Sequence, residues 1–423
     1  MPSYAAFIGH QPHISLAELS AAVPGYRLLG VADRAVAIFE STNELDDAFL
    51  HELGGTVILA KQIPEAKTIE DVPAVLLKEL EGIKGKVTFS LRTAGVRPDA
   101  VKTLYRNSKD YLRKHGRSSR YVGNERQAAA AVLLRDSGLI DGESGAEICV
   151  VRDGDRTWVG RTVGAQNVEA YTKRDMEKPV RDTTVGLLPP KLAQVLLNLG
   201  VWAAKESGKW TPPAAAADDK KKKKKDDTPA AENLCVFDPF CGTGVIPVEC
   251  LLRHFSVLAS DKSEKAATGC AKNVEWVRKE FHILKTVVPA TVWKQDALKP
   301  FDLEKKPHVI VTETTLGPSL KSRPLAKEIT SLRSEAEKIE EAFLKNVAAT
   351  LPGTPVVCTW PVWYGSKEPS GLEKIWTKLA GIGYEAVLPP QAMASFPDHA
   401  SLLYRRPDQF VGREIVVLRP LKK

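Results

Sequence analysis

The residues best suited to chemistry surround a short glycine turn. Residues 238–244 read Asp-Pro-Phe-Cys-Gly-Thr-Gly and follow an apolar run, and a helix is predicted to open near Val245. Glycines at a turn between a strand and a helix let a ligand approach the backbone closely. A dinucleotide fingerprint would require a third glycine at position 247, where this chain has Pro247. The turn therefore indicates a nucleotide-like ligand and disfavours NAD.

Carboxylates follow three successive apolar runs that we predict to be strands. Asp238 ends the first run, Asp261 ends the second, and Asp296 follows the third. Asp238, at the tip of the first strand, suits an ammonium group of the ligand. Asp261 is placed to accept hydrogen bonds from both ribose hydroxyls, and Asp296 is placed to accept one from an adenine amino group. Together these features predict S-adenosylmethionine as the cofactor. The predicted cofactor-binding residues are Asp238, Phe240, Gly242, Gly244, Asp261, Lys262, Asp296 and Ala297.

The elements that must position these residues form a regular α/β pattern after residue 233. The clearest helix has apolar residues three or four positions apart between Ala326 and Val347. The pattern predicts a doubly wound, Rossmann-like sheet that ends in an antiparallel hairpin around residues 406–412. The predicted strands are Leu234–Phe237, Ser256–Ser260, Thr286–Trp293, His308–Thr312, Thr354–Trp360, Ser401–Arg405 and Arg413–Arg419.

The first 165 residues show shorter alternating patterns that are typical of small α+β domains. The predicted strands are Tyr4–Gly9, Ala35–Glu40, Thr56–Gln62, Lys86–Arg92, Glu147–Arg152 and Thr157–Val163, with helices from Ser15 and near Asp46, Val101 and Arg126. Further along, residues 211–232 contain Pro, Ala and a run of lysines flanked by aspartates. Such a composition cannot bury enough apolar surface to fold, so we predict a disordered insertion there.

Positive charge is concentrated in residues 101–126, which carry a net charge of +6 within a chain of net charge +8. Four of these cations, Lys102, Arg106, Lys109 and Arg113, recur at helical spacing and form one stripe, with Gly116 placed to end the helix. Because opposing acids are scarce, the stripe favours binding to phosphates over a simple solvated face. These four residues are predicted RNA-binding residues.

The remaining composition limits the class of protein. Hydrophobic residues make up 43% and charged residues 26%, a balance typical of a folded globular chain. No apolar run is long enough to span a membrane, and the N-terminus has no secretory pattern. The six cysteines form no CxxC pair, so neither a metal site nor a disulfide framework is indicated. We expect a cytoplasmic protein without membrane partners.

The residues from Arg174 to Gln194 resemble the approach to the catalytic domain in THUMP-containing tRNA guanosine N2-methyltransferases. The segments GHQPHISLAEL, GGTVILAKQI and YRRPDQFVGREIVVL match the same family, and DPFCGTG is similar to the first motif of class I methyltransferases. The resemblance implies a ferredoxin-like domain at 1–65, a THUMP RNA-binding domain at 66–165, a linker with the first catalytic helix at 166–210, and a methyltransferase domain at 233–423. It also implies tRNA as the partner, with a small activating subunit as an open question.

The fourth predicted strand departs from that family. Relatives that methylate amines carry Asp-Pro-Pro followed by Tyr or Phe at this strand tip, whereas residues 312–318 here read Thr-Glu-Thr-Thr-Leu-Gly-Pro. Glu313 keeps a carboxylate that can orient an amine, so we predict Glu313 and Thr314 as catalytic residues. The alternative is that Glu313 is a strand-end residue bonded to the backbone or to an arginine. Trp360, Trp363 and Tyr364 lie at the tip of the fifth predicted strand, where they could either replace the missing stacking surface or pack as core or lid aromatics, and Trp363 is the one assigned to RNA binding.

Two further functions stay open at the sequence level. The altered fourth motif is compatible with a catalytically weak tRNA-binding or folding factor that retains the cofactor pocket. Cytosine C5 methylation would use Cys358 as a nucleophile, but Cys358 shares its side of the strand with Val356 and Trp360, which favours a packing role. The predicted function is methyl transfer to an exocyclic base amine of tRNA, with guanosine N2 as the expected target.

Overall fold

The computed structural model describes residues 1–124, 128–182, 187–213, 233–365 and 368–421. The chain forms two compact units, Met1–Thr172 and Lys173–Lys423, here called the N-terminal and C-terminal units. Most of the predicted insertion, residues 214–232, lies outside the described residues, as does Arg126. Among the described helices, none is both long and apolar enough to cross a lipid bilayer.

The N-terminal unit contains one sheet of eight strands with helices between them. Its first half contains β1 (Ser3–Ile8), α1 (Pro12–Ala22), β2 (Arg27–Ala32), β3 (Val36–Glu40), α2 (Asp47–Leu50) and β4 (Thr56–Gln62). Its second half contains α3 (Val72–Glu79), β5 (Val87–Ala94), α4 (Pro98–Lys114), β6 (Ser119–Tyr121), α5 (Ala131–Asp136), β7 (Gly145–Asp153), β8 (Arg156–Ala165) and α6 (Val168–Thr172).

The strand order of this sheet is β2-β3-β1-β4-β8-β7-β5-β6. Antiparallel pairing of β4 with β8 joins the segment predicted as residues 1–65 to the segment predicted as 66–165, so the sheet runs through the boundary between them. The strand β2 was not predicted, because Gly30 and a register shift beside it interrupt the alternating pattern on which strand prediction depends. The assignment of the two segments to named domains stays a prediction.

The C-terminal unit is a doubly wound α/β structure. It contains α7 (Pro190–Glu206), β9 (Cys235–Asp238), α8 (Val245–Leu252), β10 (Ser256–Asp261), α9 (Glu264–Glu280), β11 (Ala290–Lys294) and β12 (Val309–Glu313). It continues with α10 (Ala326–Thr350), β13 (Val356–Trp363), α11 (Glu373–Ile382), β14 (Tyr384–Ala386), β15 (Ser401–Tyr404) and β16 (Val411–Pro420). A single π-helical turn, Lys173–Glu177, precedes α7.

The sheet of the C-terminal unit has the order β11-β10-β9-β12-β13-β16-β14, and β15 pairs with β16. The strands from β9 to β13 are parallel, and β16 is antiparallel to both β13 and β15. The predicted parallel sheet and terminal hairpin are therefore present. The chain leaves β9 toward β10 on one side and later returns to β12 on the other, which creates a crevice at the carboxyl ends of these strands.

The helix α10 matches its predicted apolar spacing, since Ile329, Ala336, Phe343 and Val347 are buried. These side chains pack with Phe237 and the tryptophans of β13 in one core cluster of the C-terminal unit. One predicted strand was too long at its start, because residues 286–289 precede β11 rather than join it. The same helix carries two buried glutamates, Glu337 and Glu340, which the apolar pattern alone did not single out.

Candidate functional site

A cavity of about 360 Å³ lies at the carboxyl ends of β9, β10 and β12. Seven of the predicted site residues line it, namely Asp238, Phe240, Gly242, Asp261, Lys262, Glu313 and Thr314. A larger cavity of about 680 Å³ lies in the N-terminal unit, but its cations Lys61, Lys78 and Arg161 are each paired with a glutamate. The smaller cavity is therefore the better candidate site, because its carboxylates converge at a strand switch point.

The turn between β9 and α8 contains Gly242 and Gly244, and the backbone conformation favours glycine at both positions. Gly242 has φ of 51° and Gly244 has φ of 87°, a backbone region that side chains disfavour. A Cβ atom on Gly244 would also lie 2.6 Å from the sulfur of Cys270 on α9. Gly244 thus brings α8 and α9 together and does not itself line the cavity, whereas Gly242 does.

Asp238 is a buried carboxylate at the tip of β9, with 2% of its surface exposed. Its Oδ1 accepts a hydrogen bond from the Thr312 hydroxyl at 2.6 Å and another from the Phe240 amide at 3.3 Å. Burial raises the pKa of Asp238 to about 7, and the nearby charges of Asp261 and Glu313 add to the increase. A cationic ligand group beside Asp238 would oppose both effects and favour the ionised carboxylate.

Asp261 is oriented by the backbone rather than by a cation. Its Oδ2 accepts from the Gly242 amide at 3.0 Å, and its Oδ1 accepts from the Ser263 amide at 2.8 Å. Each oxygen keeps a further acceptor position, since a carboxylate oxygen has two. The glycine turn and the acid at the end of β10 are therefore one hydrogen-bonded unit, which fixes where Asp261 presents those acceptors.

Two predicted cofactor residues, Asp296 and Ala297, lie outside the described lining of this cavity, so their role in cofactor binding stays a prediction. Asp296 uses Oδ1 to accept from the Leu298 amide at 3.0 Å and so caps its own turn. Ala297 is buried in the core, and its carbonyl accepts from the Asn346 side chain. The sequence indicated their position after β11 but not that local hydrogen bonds and packing would hold them in the turn.

Glu313 lies at the end of β12, where the sequence predicted a catalytic carboxylate. Its Oε1 accepts from Arg413 Nε at 2.5 Å, and the two side chains are 15% and 4% exposed. Burial raises the pKa of Glu313, and the Arg413 guanidinium opposes that increase. Thr314 follows with its hydroxyl donating to the Thr359 carbonyl at 2.6 Å, so its side chain ties β12 to β13.

Arg413 is the partner that sequence reasoning missed. It lies on β16, is 3% exposed, and also donates to the Leu187 carbonyl at 3.4 Å. A separation of 100 positions lies between it and Glu313, so local spacing could not connect them. The segment YRRPDQFVGREIVVL contains Arg413, but its basic residues carry no mark that distinguishes a buried arginine from an exposed one.

The predicted aromatic stacking surface is corrected by the burial of β13. Trp360 and Trp363 are 0% and 1% exposed and belong to the core, so neither ring is available to stack on a base. Tyr364 is nearly buried, and the Arg405 guanidinium lies 3.7 Å from its ring centroid. Cys358 is fully buried, which raises its thiol pKa well above the ordinary value and supports its packing role over a nucleophilic one.

The basic stripe forms as predicted on α4 of the N-terminal unit. Leu104, Ser108 and Leu112 are its buried residues, and Gly116 follows the helix with φ of 72°. The four predicted cations, Lys102, Arg106, Lys109 and Arg113, are all exposed. Arg113 lies 3.0 Å from Asp110, a pair exposed enough to be weak and exchangeable.

Asn273 of α9 is a second positioning residue that the sequence did not reveal. Its amide nitrogen donates to the carbonyls of Val180 and Thr243, both at 2.8 Å, and its Oδ1 accepts from the Val180 amide. One side chain thus fastens the segment before α7 to the glycine turn. Asp182 in that segment lines the cavity and adds a fourth carboxylate to its wall.

No family model matches the sequence, and no curated protein matches it. Magnesium protoporphyrin IX methyltransferase from Synechocystis PCC 6803, with bound SAH, is 13% identical, with 60% of this chain and 95% of that chain covered and a TM-score of 0.33. A candidate RNA methyltransferase from Pyrococcus horikoshii is 14% identical, with coverages of 58% and 92% and a TM-score of 0.30. A glycopeptide N-methyltransferase complexed with sinefungin is 11% identical, with coverages of 45% and 82% and a TM-score of 0.28.

Proposed function

We propose that this protein is an S-adenosylmethionine-dependent methyltransferase that acts on RNA. The observation that carries the proposal is the acidic cavity, where Asp182, Asp238, Asp261 and Glu313 converge beside a glycine turn. S-adenosylmethionine is a nucleoside with an ammonium and a sulfonium cation, so an acidic cavity with close backbone access suits it. A pyrophosphate-containing cofactor would be repelled by Asp238 and Asp261, because no described cation is paired with either carboxylate.

The residues present fit this cofactor in three respects. Asp238 has both of its described hydrogen bonds on Oδ1, which leaves Oδ2 to accept from the ammonium. Asp261 is held by two backbone amides with acceptor positions left for the ribose hydroxyls. A Cβ atom on Gly242 would meet no other atom within 4 Å, so the backbone there is open to the ligand. Bound S-adenosylmethionine supplies an electrophilic methyl group.

Glu313 is proposed to orient the amine that receives the methyl group. An aromatic amine is a weak nucleophile because its lone pair is delocalised, and a carboxylate that accepts one N–H turns the lone pair and stabilises the growing positive charge. Arg413 occupies Oε1 of Glu313 and opposes its protonation, so Oε2 is the oxygen that would face the amine. Thr314 would contribute through its backbone, since its hydroxyl is bound to Thr359.

RNA is proposed as the substrate from the charge and fold of the N-terminal unit. The four exposed cations of α4 lie on one helix face, as expected of a phosphate-binding surface. The first six elements follow a β-α-β-β-α-β order with β1 between β3 and β4, which supports the proposed ferredoxin-like assignment. tRNA, and guanosine N2 within it, are the substrate and target that the family resemblance suggests.

The proposal is tested by incubating the full chain with unmodified bulk tRNA and methyl-labelled S-adenosylmethionine. Mass spectrometry of the digested nucleosides should detect N2-methylguanosine. Label in another nucleoside would reject the guanosine target but keep the enzyme class. Absence of label together with measurable cofactor binding would reject RNA methylation and leave a cofactor-binding protein.

The proposed binding of RNA by α4 is tested separately, with variants of its exposed cations. Reversal of Arg106, Lys109 and Arg113 to Glu should weaken tRNA binding and reduce its salt dependence by about three units of log–log slope, because each phosphate contact releases a counterion. The matched control reverses three other exposed cations of the same unit, Arg34, Arg152 and Arg156. Equal losses in both triple variants would show that α4 has no special role.

A tRNA-binding factor with a retained cofactor pocket is the second candidate function. The pairing of Glu313 with Arg413 favours it, because a carboxylate already neutralised by a buried arginine is also a common structural ion pair. Under this alternative the chain binds tRNA and S-adenosylmethionine but produces no labelled nucleoside. The nucleoside experiment therefore separates the two functions directly.

A further inference from the structure

Glu340 on α10 is a buried glutamate that the proposed reaction does not use. It is 0% exposed, and neither of its carboxyl oxygens has a hydrogen-bond partner within the described part of the chain. The Thr314 hydroxyl and the Trp360 side chain lie close enough to influence the pKa of this carboxyl group, and Trp360 Nε1 has no hydrogen-bond partner there either. Three polar groups from α10, β13 and the residue after β12 thus meet in the core.

An ionised carboxylate is poorly suited to this position. Among the described residues, the interactions that act on Glu340 come from Thr314 and Trp360, neither of which is a cation, and the Cys358 thiol is also nearby. Burial without a counterion strongly disfavours the charged form, and it raises the pKa of Glu340 to about 8. Glu337, one turn earlier on the same helix, differs because Lys374 lies beside its carboxylate.

A count of hydrogen-bond donors and acceptors identifies the protonation state of Glu340 that suits its neighbours. The Thr314 hydroxyl has one hydrogen, which it already donates to the Thr359 carbonyl at 2.6 Å, so it can only accept from Glu340. The Trp360 indole N–H can only donate. A carboxylic acid meets both requirements, because its O–H donates to Thr314 Oγ1 while its carbonyl oxygen accepts from Trp360 Nε1. A carboxylate has no hydrogen to offer Thr314.

We propose that Glu340 is a positioning residue, present as a neutral carboxylic acid, that links Trp360 to Thr314 and thereby holds the tip of β12 in place. The proposed hydrogen bonds run from Trp360 to Glu340 and from Glu340 to Thr314, and they continue the observed one from Thr314 to the Thr359 carbonyl. They fix the backbone next to Glu313, which lines the cavity. The inference rests on the proposed function, because it assigns this tip the task of placing the target amine.

The network also explains how the β12 tip is held without a proline pair. Residues 312–318 contain one proline, at the end of the segment, and Gly317 has a positive φ of 78°. The backbone of this segment therefore has more freedom than an Asp-Pro-Pro sequence would allow. A buried side-chain anchor at Thr314 restricts that freedom from the core side, and Arg413 restricts Glu313 from β16.

The test compares Glu340→Gln with Glu340→Leu in the full chain by hydrogen exchange, which needs neither cofactor nor RNA. The glutamine amide can donate to Thr314 and accept from Trp360, so the exchange of the 314–317 amides should match the parent. Leucine fills the space but leaves Thr314 Oγ1 and Trp360 Nε1 unpaired, so these amides should exchange about tenfold faster. Glu337→Gln is the matched control and should leave them unchanged.

Thr314→Val provides a second, independent variant if leucine prevents folding. It removes the shared hydroxyl and should accelerate exchange of the same amides, and adding Glu340→Leu should then cause less than the sum of the two single effects. Additive effects, a parent-like Glu340→Leu, or a Glu340→Gln that behaves like leucine would each overturn the network.

Activity gives the functional readout once a labelled nucleoside has been found. Glu340→Leu should lower the single-turnover methylation rate about tenfold with little change in S-adenosylmethionine affinity, and Glu340→Gln should restore the rate. A rate unaffected by leucine despite faster exchange would reject the positioning role. If the parent methylates no RNA, the proposed function fails, whereas the hydrogen-exchange comparison still decides whether the network exists.

Discussion

Two parts of the same cavity wall hold their carboxylates in different ways. At the ends of β9 and β10, Asp238 and Asp261 are held by backbone amides and a hydroxyl, and no described cation is paired with either. At the end of β12, Glu313 is already paired with the buried guanidinium of Arg413. The first part leaves negative charge to be met by a ligand cation, whereas the second has its charge largely balanced by the protein.

This difference assigns separate tasks to the two parts. Burial without a counterion is energetically costly for a carboxylate. A cationic ligand group that binds beside Asp238 relieves that cost, so we expect much of the binding energy to come from this contact. A carboxylate held by an arginine has a fixed position and a stabilised charge but attracts a second cation weakly. Such a group suits the orientation of a neutral amine better than the capture of a charged ligand.

The largest effect is expected from Arg413→Met, which removes the cation from the Glu313–Arg413 ion pair. Glu313 would remain buried without a counterion, so the C-terminal unit should lose about 3–5 kcal/mol of unfolding free energy. Denaturant unfolding followed by tryptophan fluorescence measures this loss. The control is Arg419→Met on the same strand, where the partner Glu385 is partly exposed and the loss should stay within about 1 kcal/mol. A small loss at both positions would contradict a buried, energetically important pair.

Glu313→Gln tests whether the paired carboxylate also takes part in catalysis. The variant keeps an acceptor for Arg413 but loses the charge, so single-turnover methylation should fall about 10²-fold while cofactor and tRNA affinities change little. Glu385→Gln is the control, because it removes a carboxylate paired with an arginine of the same strand outside the described cavity lining. Methylation at the parent rate would reduce Glu313 to a structural ion pair.

Asp238→Asn tests the opposite part of the wall. It keeps the shape of the side chain but removes the charge that would meet the ligand ammonium, so S-adenosylmethionine affinity should fall by about 10–100-fold. Isothermal titration calorimetry measures the affinity, and circular dichroism confirms the fold. Asp296→Asn is the matched control, because its carboxylate lies outside the described cavity lining. Unchanged affinity in Asp238→Asn would remove the cofactor assignment.

The two parts of the wall also differ in how well sequence predicted them. The glycine turn, Asp238 and Asp261 lie within a strand–turn–helix–strand unit, where local spacing determines geometry, and these predictions agree with the cavity. Glu313 was found by the same reasoning, whereas Arg413 and Glu340 were not, and the sequence left open whether Trp363 is buried in the core or exposed for stacking. Those features depend on β13 and β16 being neighbours and on α10 covering them, which are long-range pairings that no local pattern specifies.

The smallest expected effect is a dependence of cofactor affinity on pH. This dependence shows whether Asp238 lacks a cationic partner in the unliganded protein. Its folded pKa is raised to about 7, so in the unliganded chain its contribution to stability is complete below the unfolded value of about 3.9 and is lost as pH rises through 7. A bound ammonium favours the ionised form, so binding near pH 6 must first release a proton. S-adenosylmethionine affinity should therefore rise about tenfold from pH 6 to pH 8, and Asp238→Asn should flatten this rise. The charge of Glu313 is a minor cause of the raised pKa of Asp238, so Glu313→Gln should reduce the rise slightly without abolishing it. If the parent shows equal affinity at both pH values, Asp238 is already ionised by a partner, and the contrast between the two parts of the wall fails.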